Sequence, residues 1–302
     1  MTAFPEAARA ALTAAYPEQV TKLTHSLSHD PRLTLAALVE LAGEFASENV
    51  EYNPGNLPIG IDPKDVPRAN LSIAETVRSI EENGSWMVLK FIEKHPVYRA
   101  LLEETLAEID PITRPKTGAM LGMEGFIFIS SPGAVTPFHF DPEHNILLQI
   151  RGEKVMTLFP AGDDNIVSPV AHEAFHRGEQ HRNLVWQDSF EPLGQQVALT
   201  PSEAVYVPVK APHWVQNGDA VSISLSVTWR SEWSYAEADA RALNHMLRKR
   251  GLTPASPKRY PAQNRAKSIA YRVLRRFGVA GRSRNPRRLP SAVQIIGHRQ
   301  AE

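Results

Sequence analysis

No cysteine occurs among the 302 residues. That absence excludes disulfides, thiol nucleophiles, iron–sulfur clusters and thiolate zinc sites together. Any metal must rest on His, Asp or Glu. No window approaches the roughly 20 apolar residues of a membrane span. The opening MTAFPEAARAALTAAYPEQV has no basic segment followed by an apolar block, so the expectation is a cytoplasmic protein with no membrane span. Net charge is also missing, with 33 Lys and Arg against 33 Asp and Glu, but the balance hides an asymmetry: from Arg241 onward there are 16 basic residues and one acid, Glu302. An acidic body followed by a basic tail is read first as a helical tail docked on that body or on a second subunit, ahead of nucleic-acid association.

Hydrophobic periodicity divides the chain into three. Residues 1–117 read as a helical region packed on a core. Leu35, Leu38, Val39, Ala42 and Phe45 fall at helical spacing, as do the apolar residues of SIAETVRSIEENGSWMVLKFIEKH and VYRALLEETLAEI. EYNPGNLPIGIDPKDVPRAN is loop by composition. Over 118–232 the character changes to short β-branched and aromatic runs separated by turn residues, FIFIS, ILLQI, KVMTLF, AVYVPV and AVSISLSVTW, the appearance of an antiparallel sandwich or small barrel. Residues 161–192 interrupt these strands. Helix returns over 233–302, where Ala242, Leu243, Met246 and Leu247 make an apolar stripe.

HEAFH at 172–176 has the form of a zinc signature, H-E-x-x-H. A third ligand is missing at the required spacing, because the longer metzincin pattern needs Gly at 179 and His at 182, where Glu179 and Arg182 stand. Pro169 before and Gly178 after also argue against a helix. The motif reads as a coincidence in an inserted segment.

A stronger constellation is VTPFHFDPEHNILLQIRGEKVMTLFP, residues 135–160. Residues two apart on a strand face the same way, so His139 and Asp141 point together. VPVKAPHWVQN supplies His213 at the far end of the β region. Two His and one carboxylate with open positions beside them are the facial triad of non-heme Fe(II) oxygenases. Each residue alone has a plainer reading: a hydrogen-bonded strand histidine, an Asx turn before Pro142, a turn after Pro212. Lys154 returns beyond the turn at Arg151–Gly152. A buried lysine there calls for an anion, and a dicarboxylate is one, with Thr136 as a further donor and Asn145 toward the metal-proximal end; an exposed hairpin end is the alternative.

TPFHFDPEHNILLQIRGEKVMTLFP and YVPVKAPHW resemble the JmjC, or cupin-like, family of Fe(II)- and 2-oxoglutarate-dependent dioxygenases, nearest to the branch of the hypoxia-inducible-factor asparaginyl hydroxylase. The resemblance implies a mainly β double-stranded β-helix (jelly-roll, cupin) core with α-helical flanks. It implies His139, Asp141 and His213 as iron ligands, Thr136 and Lys154 on the distal carboxylate of 2-oxoglutarate, and Asn145 near its other end. The implied activity consumes 2-oxoglutarate and O2, releases succinate and CO2, and hydroxylates an amino-acid side chain in a peptide or protein. A small-molecule hydroxylase, an N-demethylase and a non-catalytic metal-binding regulator are the alternatives. A homodimer through the C-terminal helices is expected on the same ground. One departure stands out: Val227, between Ser226 and Thr228, occupies the place of that branch's second asparagine.

Overall fold

The structure is a computed structural model that describes residues 2–45, 49–54, 59, 80, 84–179 and 181–278. Eleven antiparallel strands form two sheets among these residues: β1 (Thr21–Thr24), β2 (Val50–Pro54), β3 (Ser85–Lys90), β4 (Met120–Ser130), β5 (Val135–His139), β6 (His144–Arg151), β7 (Lys154–Leu158), β8 (Gln195–Leu199), β9 (Glu203–Val207), β10 (His213–Asn217) and β11 (Ser222–Ser231). One sheet has the order β1-β9-β6-β11-β4-β3-β2 and the other β5-β10-β7-β8. The two face each other as a double-stranded β-helix.

Strand alternation sorts the two faces of the large sheet. Ile223, Leu225, Val227 and Trp229 of β11, with Ile146 and Leu148 of β6, face outward into one core with the helices α1 (Glu6–Ala15), α2 (Leu35–Glu44) and α3 (Pro96–Ala107). Each such large side chain buried contributes about 1.5–3 kcal/mol. The inward face meets the small sheet through Leu147, Val205 and Val207, packed on Met156, Leu158, Leu199 and Val215. On β11 the inward row is hydroxylated. Ser224 Oγ donates to Gln149 Oε1 at 2.7 Å and Ser226 Oγ to Asn145 Oδ1 at 2.9 Å, so a polar row lines the barrel.

Two sequence expectations fail in the N-terminal region. SWMVLK was expected to be helical and is strand β3, paired with β2 and β4. Met87 and Leu89 enter the helix-covered core while Trp86 and Val88 face the other way into a second apolar cluster. A strand buried on both faces shows no alternation, and periodicity cannot separate it from helix. Residues 1–117 are therefore not helical alone, since β1 also joins the large sheet. Most of EYNPGNLPIGIDPKDVPRAN and the start of SIAETVRSIEENG lie outside the described residues. Residues 96–107 and 110–117 are helical, as α3 and α4 (Asp110–Thr117).

HEAFH also needs correction. Pro169–Phe175 is a helix, α5, with Ser168 as its N-cap accepting from the Ala171 N–H at 3.2 Å and Pro169 in the first turn. Proline there starts a helix, because its missing N–H has no intrahelical partner to lose. His172, Glu173 and His176 are buried, and Glu173 ties α5 to α6 (Glu232–Arg248). Glu173 accepts from Arg248 Nε at 2.6 Å and from Asn244 Nδ2 at 3.2 Å, and His172 packs edge-on against Phe140. Glu173→Ala should cost about 1–3 kcal/mol in thermal or urea unfolding, the smaller end if the half-exposed Arg248 reaches water. His172→Ala with His176→Ala should leave metal binding intact; a loss of bound metal equal to that of a His139 variant would reinstate the zinc reading.

The described part of the basic C-terminal segment, residues 241–278, docks on the body of its own chain. Arg248 meets Glu173, Lys249 meets Glu179 at 2.7 Å and Arg259 meets Glu18 at 2.8 Å. The stripe Ala242, Leu243, Met246 and Leu247 packs on Tyr271 and Leu274 of α7 (Arg265–Arg276). That stripe is occupied within the chain, so it does not supply the dimer face expected of it.

Candidate metal centre

The triad forms where the end of one strand meets the start of another. His139 closes β5, His213 opens the antiparallel β10, and the two are paired directly across the ladder. Opposed residues point to the same face, and their rings lie 4.2 Å apart between centroids. Asp141 follows β5, with its Oδ2 3.9 Å from His139 Nε2 and 3.7 Å from His213 Nε2. One ligand atom from each of the three lies within 4.8 Å of the others, and this is the only such His/Asp/Glu cluster among the described residues.

Backbone hydrogen bonds set both imidazole tautomers in the same way. Nδ1 of His139 donates to the Pro137 carbonyl at 2.8 Å and Nδ1 of His213 to the Ala211 carbonyl at 2.9 Å. Each Nε2 is left with its lone pair toward the cluster. Burial, then the neighbouring His213, pushes His139 down to about 3, and burial lowers His213 as well. Burial alone would raise Asp141, but the Arg182 guanidinium and the two histidines hold it below the ordinary carboxylate value. At neutral pH the site presents two neutral imidazoles and a carboxylate, the set a divalent cation takes without displacing a proton.

Arg182 was not found from the sequence. Its Nη1 donates to Asp141 Oδ1 at 2.6 Å. It is fixed by backbone pairing of the inserted segment with β5: Phe140 N–H donates to the Arg182 carbonyl at 3.2 Å, Leu184 N–H to the Phe138 carbonyl at 2.9 Å, and His139 bridges Asn183. Oδ1 is thus engaged and Oδ2 faces the histidines. Nothing local in GEQHRNLVWQD marks this arginine, because the contact spans 41 residues. Arg182→Ala should weaken Co(II) binding by about 10–100-fold, the range for loss of a group orienting a ligand; unchanged affinity in a metal titration would refute the role.

The remaining sequence candidates are distributed along the barrel. Thr136 stands three residues before His139, a spacing that in a regular strand would turn it to the opposite face. A bulge corrects this: between the pairs His213–His139 and Val215–Thr136, β5 has one residue more than β10, so Thr136 shares the inward face. Lys154 lies opposite Asn217 of β10, four residues from Leu158, which is opposite His213. That is about 13 Å along the strand. Its side chain is buried and not at an exposed hairpin end; Gly152, at φ 68°, makes the turn that returns it, and a Cβ there would stand 2.4 Å from the Val221 carbonyl oxygen. Burial pushes the Lys154 ammonium down to about 7, and no carboxylate reaches it among the described residues. Asn145 is buried on β6 opposite Thr228. Ser226, beside the departing Val227, hydrogen-bonds it, while Val227 itself turns outward into the helix-covered core.

Around the triad the site carries charges of both signs. Glu143 Oε1 lies 3.6 Å from Arg230 Nη1. Burial and the nearby Glu143 and Glu93 carboxylates push Glu124 up to about 8.

Fold and cluster together define a class: a double-stranded β-helix with a two-histidine, one-carboxylate cluster at one end. Residues 113–235 match the cupin-like domain family. The chain is similar to Jumonji C domain-containing protein 5 of Drosophila melanogaster, 25% identical over 47% of this chain and 37% of that protein. It is also similar to lysine-specific demethylase JMJ30 of Arabidopsis thaliana, 30% identical over 33% of this chain and 24% of that protein. The chain thus spans well under half the length of these relatives. Among solved structures it shares its fold with YcfD, a ribosomal oxygenase from Escherichia coli in complex with cobalt and 2-oxoglutarate, at TM-score 0.50 and 16% identity over 90% of this chain and 67% of that one.

Proposed function

We propose that this protein is an Fe(II)- and 2-oxoglutarate-dependent oxygenase that hydroxylates an amino-acid side chain in a peptide or protein. The observation that carries the reading is the pairing of a ligand-ready His139–Asp141–His213 cluster with a buried lysine, Lys154, that has no anion of its own within the same barrel. The donor set fits iron: two imidazoles and one carboxylate on one face with room beside them. When bound, iron with 2-oxoglutarate and dioxygen supplies oxidative decarboxylation to succinate and CO2 coupled to insertion of oxygen into a C–H bond.

The chain's own groups divide the remaining tasks. Lys154 and Thr136 bind the distal carboxylate. Asn145, held by Ser226, contacts the other end of the cosubstrate. Arg182 fixes Asp141 and links the triad to the inserted segment. Glu124, Glu143 and Arg230 make the surroundings polar, which suits a hydrogen-bonding side chain better than an aliphatic one. A polypeptide substrate is favoured because relatives bear the names of lysine-specific demethylases and the fold neighbour that of a ribosomal oxygenase. Purified protein given Fe(II), ascorbate and 2-oxoglutarate should release succinate above background, and treated cell extract should yield peptides heavier by one oxygen. Formaldehyde in place of such peptides would assign demethylation. Succinate release equal in wild type and a triad variant would leave only a metal-binding regulator.

A further inference from the structure

Among the described residues, nothing covers the outer face of α7. Tyr271 and Leu274 turn inward onto α6. On the opposite side Ile269, Val273 and Phe277 succeed one another at each turn and are 62%, 47% and 74% exposed. They form a stripe about 12 Å long. The other large exposed hydrophobics of the described residues are spread over several elements, so this concentration is not the ordinary scatter of surface apolar groups. On one flank of the stripe, at helical spacing, stand Arg265, Arg272 and Arg276, with Arg275 beyond them. The helix contains five basic residues and no acid. Arg272 is paired with Asp239 at 2.6 Å; Arg265, Arg275 and Arg276 make no ion pair with a described residue. The sequence that follows adds Arg282, Arg284, Arg287, Arg288 and Arg299 before its single acid, Glu302.

We propose that α7 is an interfacial helix that docks this protein on an anionic lipid bilayer. An exposed apolar stripe beside an arginine flank matches both layers of such a surface. Ile269, Val273 and Phe277 enter the boundary between headgroups and acyl chains, and the arginine stems follow them while the guanidinium groups stay with the anionic headgroups. No helix of the described residues is long and apolar enough to cross a membrane, so the contact is peripheral. Competing occupants satisfy only half of the pattern. A nucleic acid neutralises the arginines but gives the apolar stripe nothing. A second copy packed stripe to stripe buries the apolar residues but offers the arginines no acid, because α7 carries none. This inference stands on α7 and is independent of the activity proposed above.

The test is co-sedimentation of the full chain with vesicles of phosphatidylcholine alone and of phosphatidylcholine with phosphatidylglycerol. Binding should appear only with the anionic vesicles and fade as salt is raised. Ile269→Ser with Phe277→Ser, which keeps every charge, should weaken it about tenfold or more. Arg275→Glu with Arg276→Glu should do the same from the other side. All four positions are exposed, and unchanged thermal unfolding will show that the fold is kept. The proposal falls if anionic vesicles do not bind at low salt, or if phosphatidylcholine alone binds equally. It also falls if the Ser variant binds as tightly as wild type, which would leave a purely electrostatic contact of the kind RNA makes. Light scattering that finds a wild-type dimer turned into a monomer by the Ser variant would reassign the stripe to self-association.

Discussion

His139→Ala is expected to abolish succinate release and to lower Co(II) affinity by more than the about 10–100-fold that loss of an orienting neighbour costs. The site has three protein ligands, and the variant removes one whose ring is already neutral and aimed by the Pro137 carbonyl. Neither remaining ligand can shift to replace it: His213 is fixed by the β10 ladder and its own bond to Ala211, and Asp141 by Arg182. The fold should survive, since the two apolar cores that hold the sheets do not include His139. Metal titration followed by circular dichroism separates the two effects. Retained metal affinity in a folded His139→Ala variant would refute the triad as the metal centre. Asp141→Asn, which keeps shape and removes the charge, should weaken metal binding in the same direction.

Lys154→Met is expected to stabilise the protein in the absence of cosubstrate and to weaken 2-oxoglutarate binding by about 100-fold. Both effects follow from one buried ammonium. Its fall from 10.5 to about 7 corresponds to a folding penalty on the order of 4 kcal/mol at neutral pH, which the thioether of similar shape does not incur. The pH dependence has a definite sign. Between about 7 and 10.5 the unfolded chain holds a proton on Lys154 that the folded chain has released, so this residue's contribution makes stability rise with pH across that window. Lys154→Met should remove that rise, measured by urea unfolding at a series of pH values. A bound dicarboxylate reverses the balance by favouring the ammonium. Binding of 2-oxoglutarate near pH 7 should therefore take up about half a proton, and affinity should decline as pH increases further. Calorimetry in buffers of different ionisation enthalpy reads that uptake directly. No uptake, together with unchanged affinity in Lys154→Met, would remove Lys154 from the cosubstrate site.

Much of the site was legible because its signals are local. His139 and Asp141 stand two residues apart at a strand end, and Lys154 stands just beyond a glycine that only a tight turn explains. β11 was recognisable as a strand in AVSISLSVTW. Residues without a local signature were misread or missed. SWMVLK looked helical because it is apolar on both faces. HEAFH looked like a loop, although Ser168 and Pro169 are starting signals for a helix. Arg182 carried no mark at all.

By itself the sequence determined the strand character of most runs between 118 and 232, the donor types available to a metal in a chain without cysteine, and the three candidate residues for that role. Strand period and side-chain chemistry are properties of a few neighbouring residues, and they survive without knowledge of the fold. Only the tertiary structure decided which of these residues share a face and a distance. The β5 bulge puts Thr136 on the side of His139, and the antiparallel pairing of β5 with β10 brings His213 opposite it. The inserted segment returns Arg182 to Asp141, and Glu173 of HEAFH is turned to Asn244 and Arg248 of α6. Each of these depends on contacts between segments tens of residues apart, whose register is set by burial of whole faces and not by any one stretch of sequence.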